Sequence, residues 1–179
     1  MDRNNMPIHV EELTPRWMTY LFRKHGLIDN LTTVRQINAA EIGDMTGANS
    51  DVVFLNIGYE DGIGPTKIIA KNTPKSGSSV ANFQRWFERE VYFYRVLAPS
   101  LRKTSSLVLP EVYYAEHREI EHATEHLVLL EPLPSENQGD QLQGCSYDEA
   151  KCALGALASL HATYWDCSAE DHNSWLPYT

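Results

Sequence analysis

The sequence has 179 residues, 42% of them hydrophobic and 22% charged, which is enough apolar material for one domain with a core, or for a small domain plus part of another. Lys and Arg number 15 against 24 Asp and Glu, and a net charge of −9 counts against nucleic acid or an anionic membrane as the principal partner. Residues Met1 to Pro7 lack the apolar core of a signal peptide and no run approaches a membrane span, so a cytoplasmic protein is expected. Cys145, Cys152 and Cys167 are odd in number and have no CxxC spacing, which predicts reduced cysteines, not a disulfide framework or a zinc knuckle.

Thr14-Pro15 followed by Trp17, Tyr20 and Leu21, with Gly26 as the stop, predicts a short opening helix with an N-cap and a proline in its first turn. Val34, Ile37 and Ile42 among polar residues, then Val53, Leu55, Ile57 and Tyr59 in alternation, predict two paired strands joined by the segment Gly43 to Ser50. Glu60 to Pro65 is a turn by composition, and the strand that follows ends at Lys71. A helix is predicted from Val80 to Leu97, stopping before Pro99. Two further strands, Glu111 to His117 and His126 to Glu131, flank a charged connection, and the apolar run Leu127 to Leu130 reads as a buried strand. Ser146 with Glu149 three positions on forms a capping box, opening a last helix to about Trp165 that carries Ala150, Ala153, Leu154, Leu157, His161 and Tyr164 on one side.

On the helix from Val80, the spacing of Phe83, Phe87, Glu90, Tyr94 and Leu97 puts all five on one face, so Glu90 stands in an apolar stripe. A carboxylate there requires a cation or hydrogen-bond donors. Lys71 is the preferred partner, because it shares a strand face with Ile69 and that face is available to a helix packed across the sheet. The plainer arrangement has Lys71 solvated at a strand end and Glu90 meeting Arg89 or Arg95 near the surface. His117, His122 and His126, interleaved with Glu119, Glu121 and Glu125, read as a solvated hairpin connection, and no metal is assigned to them. His161 reads as a packing histidine on the inner side of the last helix.

Strand, glycine-bearing turn, strand, lysine strand, glutamate helix, two strands and an apolar exit is the order of parts in a kinase small lobe. Ile42-Gly43-Asp44-Met45-Thr46-Gly47, Ile69-Ala70-Lys71, Phe87 to Tyr94, Leu127 to Glu131 and Leu160-His161-Ala162 resemble the aminoglycoside phosphotransferase and choline kinase-like families, closest to the ecdysteroid-kinase-like branch. The resemblance covers the whole chain as the first half of such a kinase. It implies an α+β fold, with a kinase-like small lobe of about five antiparallel strands and a leading helix over residues 1–135, and a hinge connector plus the first helix of a second lobe over 136–179.

It also implies ATP as phosphoryl donor with Mg²⁺, and an unidentified small-molecule hydroxyl as acceptor. Lys71 then holds the α and β phosphates and Glu90 orients it, while the turn with Gly43, Thr46, Gly47 and Ser50 covers the phosphates through backbone N–H groups. Glu131 and Leu133 offer main-chain bonds to adenine. The turn is poorer in glycine than the family pattern, and Pro132 replaces an acidic residue common in the connector. The His-Gly-Asp loop and later aspartate that supply base and metal ligands in such kinases do not occur, since His25-Gly26 runs into Leu27 and Asp171-His172-Asn173 has the wrong order. The expectation is therefore a phosphotransferase fragment whose missing lobe packs on the last helix, against the alternative of a non-catalytic nucleotide-binding or regulatory module.

Overall fold

The computed structural model describes residues 6–41, 51–73, 80–105, 107–120, 123–133 and 142–165, excluding the side chains at 41, 80–85, 104, 120 and 123. Contacts divide the chain into two compact units, one of Met1–Val91 with Glu111–Pro132 and one of Tyr92–Pro110 with Leu133–Thr179.

In the first unit a 3-10 turn at Val10–Glu12 leads into α1, Pro15–Lys24. Its start follows from local chemistry: the Thr14 hydroxyl accepts from the Trp17 amide at 3.2 Å, and Pro15 occupies the first turn, where its missing N–H has no helical partner anyway. After the helix Gly26 takes a φ of 67°, a region that a β-carbon disfavours. Strands β1 (Thr33–Glu41), β2 (Asp51–Glu60), β3 (Lys67–Asn72), β4 (Val112–Ile120) and β5 (Ala123–Leu130) form one sheet in the order β1-β2-β3-β5-β4. Every neighbouring pair is antiparallel.

Strand alternation sorts the side chains into two faces. Val34, Leu55, Ile57, Ile68, Ala70, Leu127 and Leu129 turn to one side and build the core with Trp17, Met18, Leu21 and Phe22 of α1. Ile69, Lys71 and Val128 turn to the other. β5 has strands on both edges, β3 and β4, and since Leu127, Val128 and Leu129 on its alternate faces are each 0% exposed, both faces are covered as well. The turn between β2 and β3 is packed closely enough to need glycine: a β-carbon on Gly64 would sit 2.6 Å from Ile28 Cγ2 and 2.7 Å from the Tyr59 ring.

The helix expected from Val80 to Leu97 is divided. α2 spans Val80–Tyr92, a π-helical stretch follows at Phe93–Leu97, and α3 spans Ala98–Thr104. Pro99 therefore stops nothing, because it falls in the first turn of α3, where no intrahelical bond asks for its N–H. Tyr94 and Leu97 fall in this wider turn, outside the 3.6-residue period, and are half-buried; the buried residues near Glu90 are Phe87 and Val91.

In the second unit α4, Tyr147–Thr163, has the expected capping box, with the Glu149 amide donating to Ser146 Oγ at 3.3 Å and the Ser146 amide to Glu149 Oε2 at 2.6 Å. Its expected inner side is not inner. Leu154 and Leu157 are 65% and 45% exposed, and His161 is exposed instead of packed. No helix among the described residues is long and apolar enough to cross a membrane.

Candidate functional site

Lys71 and Glu90 meet. Lys71 Nζ donates to Glu90 Oε1 at 2.8 Å, and the two side chains are 31% and 20% exposed. The geometry follows from the elements that carry them. Lys71 pairs with Val52 on β2 and Val128 on β5, which fixes it near the end of a central strand, and α2 brings Glu90 to the same side with Phe87 and Val91 buried beside it. An ammonium has three donors in all. One goes to Glu90, and the partial exposure of Lys71 leaves the others within reach of an anion at the sheet end.

The helix is tied to the sheet by a second contact one turn before Glu90. The Phe87 ring stacks on His126 of β5 with centroids 4.2 Å apart and planes 15° from parallel. His126 is 0% exposed, which corrects its assignment to a solvated connection: β4 and β5 extend through most of that charged stretch and place His126 inside. The apolar run starting at Leu127 was the signal that could have shown it. Thr73, the residue after β3, holds the histidine, its Oγ1 lying 2.8 Å from His126 Nδ1 and accepting the His126 amide at 2.9 Å. Burial, with smaller contributions from the charges of Lys71, His117 and His9, pushes the His126 pKa down to about 3, so the ring is neutral at physiological pH.

Glu131 sits at the exit of β5. Its amide donates to the Glu111 carbonyl at 2.9 Å and its Oε2 accepts the Glu111 amide at 3.1 Å, so what its main chain can offer an incoming ligand is the carbonyl, as an acceptor. Leu133 is 49% exposed and belongs to the second unit. Gly43, Thr46, Gly47 and Ser50 lie outside the described residues, as does His122. Among the described residues no group of three or more His, Cys, Asp or Glu converges as a metal site. A groove of about 860 Å³ with Arg16, Arg23 and Lys24 on its walls lies between α1 and β1. It belongs to the face opposite Lys71 and contributes nothing to this site.

The model of the ecdysteroid kinase-like family matches residues 50–173, a span that includes β2, β3, α2, β4, β5 and α4. No curated protein and no solved structure matches significantly.

Proposed function

Since the chain belongs to the ecdysteroid kinase-like family, we propose that its first unit is the nucleotide-holding part of a phosphotransferase that moves the γ-phosphoryl group of ATP to a hydroxyl of a small molecule. The observation that carries this reading is the 2.8 Å pair between Lys71 and Glu90, joining a central strand to the helix beside it. In phosphoryl transfer the protein mainly positions charge, and a lysine held by a helix carboxylate is the recurring way to grip the α and β phosphates. Lys71 has that support and that exposure. The turn bearing Gly43, Thr46, Gly47 and Ser50 is proposed to cover the phosphates with backbone N–H groups, and the Glu131 carbonyl with the Leu133 main chain to receive adenine.

The residues present fit the phosphates of ATP at one point, the part-exposed Lys71 ammonium, and the described residues offer no converging ligand set for Mg²⁺. When bound, Mg²⁺ supplies neutralisation of the charge on the transferring group. What this chain's own residues do is bind and orient: Glu90 holds the ammonium in place, and the sheet holds the lysine's backbone. A small-lobe identity for the first unit and a second lobe packing on α4 belong to the same proposal.

Thermal unfolding with and without Mg·ATP tests it. At ATP concentrations near 100 times Kd, stabilisation of about 2.7 kcal/mol is expected for the unmutated chain and none for Lys71→Ala. An unmutated chain that ATP does not stabilise would overturn the reading and favour a module that keeps the scaffold without the ligand.

A further inference from the structure

We propose that His126, clamped by Thr73 and stacked on Phe87, is a positioning residue that sets Glu90 against Lys71; this rests on Lys71 being the phosphate-holding residue. The contacts close a ring through the fold. Lys71 reaches Glu90, the helix carries Glu90 back one turn to Phe87, Phe87 lies on His126, His126 is bonded to Thr73, and Thr73 is two residues beyond Lys71. Phe87 and Glu90, three residues apart, share a helix side. His126 and Lys71 share a sheet face, because Lys71 pairs with Val128 and His126 precedes Val128 by two. Helix α2 is thus held on two adjacent strands at once, by an ion pair on β3 and by a ring on β5.

The chemistry of the clamp explains why the ring is a histidine. Thr73 Oγ1 accepts the His126 amide at 2.9 Å, so the single proton of the hydroxyl is directed to Nδ1 at 2.8 Å and the ring proton is assigned to Nε2. The Thr73 amide also donates to the His126 carbonyl at 3.3 Å. A phenylalanine would stack equally well but would leave the Thr73 hydroxyl without its acceptor; a glutamine would accept the proton but present no ring to Phe87. Among the described residues Nε2 is buried without a hydrogen-bond partner, and Thr73 and Phe87 are the contacts that orient the ring. Leaving that group unmet is a cost that a purely space-filling apolar residue would avoid. An arrangement that accepts it keeps the helix side bearing Glu90 at one fixed height above Lys71.

The test reads the Lys71–Glu90 contact directly, with ATP as a separate arm. Acetylation of lysines by a water-soluble active ester, followed by mass spectrometry, gives the rate at Lys71 relative to exposed Lys67 in the same molecule, and a melting curve shows whether each variant is folded. Thr73→Val removes the clamp with little change of shape and is expected to raise the relative rate at Lys71 about threefold, the size of effect that loss of a part-exposed ion pair allows. Thr73→Ser, which keeps the hydroxyl, restores the unmutated rate. Glu90→Gln raises the rate by the same factor, and adding Thr73→Val to it changes nothing further, because both act through one contact. A folded Thr73→Val chain with an unchanged Lys71 rate, an equal rise at Lys67, or an undiminished effect in the Glu90→Gln background would overturn the proposal. If Thr73→Val does not fold, Phe87→Leu removes the stack alone and is judged by the same three criteria. In the ATP arm, Mg·ATP slows acetylation of Lys71 in the unmutated chain. Absence of that protection defeats the nucleotide reading, while the variant ratios still decide whether His126 positions the pair.

Discussion

Two regions of this protein reverse the usual distribution of polarity, and they do so for different reasons. Beside the sheet, charged Lys71 and Glu90 have side chains only 31% and 20% exposed, with a fully covered histidine close by. On α4 the apolar Leu154 and Leu157 are 65% and 45% exposed. In the first region contacts distant in sequence hold polar groups where water would otherwise be preferred, and each depends on the others. In the second, a helix is started by a capping box made within four consecutive residues and needs no buried stripe to begin. Tertiary contacts carry the first region and local hydrogen bonds carry the start of the second.

The sharpest way to break that contrast is to remove the ring on which α2 rests. Phe87→Ala should cost about 3–5 kcal/mol in denaturant unfolding, since a ring 3% exposed leaves a cavity against His126. A loss near the level of a surface substitution would show that α2 is not held there.

Acid should strain the same region. The folded His126 pKa of about 3 lies below its ordinary value of 6.5, so the unfolded chain takes up that proton first as pH falls. The contribution of His126 is therefore complete above about pH 6.5 and declines by up to about 1.4 kcal/mol per pH unit down to about pH 3. Burial sets it first, and the charges of Lys71 on β3, His117 on β4 and His9 ahead of α1 add to it. Urea unfolding of the unmutated chain and of His126→Gln across that range isolates the effect, because the shared carboxylates cancel. Parallel pH profiles for the two chains would show that the histidine titrates alike folded and unfolded.

On α4 the expected effects are smaller. Ser146→Ala removes one half of the capping box and should cost about 1 kcal/mol, seen as loss of helical circular dichroism at the α4 end on mild heating. Leu154→Glu should change stability by no more than about 0.5 kcal/mol, because the leucine is 65% exposed. A drop of several kcal/mol from Leu154→Glu would show that another surface covers this side of α4, and would turn the contrast between the regions into a likeness.

How much was legible beforehand followed the range of the interactions. α1 could be read closely because Thr14, Pro15 and Gly26 act within a turn of where they stand. β5 could be read because a strand covered on both faces shows as an unbroken apolar run, Leu127 to Leu130. The continuation of α2 was misjudged: a proline marks a helix end only if its N–H is needed, and the π turn had already begun a new helix in which Pro99 is harmless. His126 reads from its charged neighbours as part of a connection although the predicted strand begins at it, and the spacing along α4 does not say whether the side bearing His161 is covered.

By itself the sequence determined that Glu90 stands among apolar residues and needs a partner, that Lys71 lies near the end of a strand, and that the order of elements resembles a kinase lobe. Those are matters of period and succession, which one chain displays without its neighbours. Only the tertiary structure decided that Lys71 meets Glu90 at 2.8 Å, and that Phe87 of the same helix stacks on His126, which Thr73 hydrogen-bonds. Register between β3 and β5 brings residues 53 positions apart into one hydrogen bond, and spacing along the chain carries no trace of such a match.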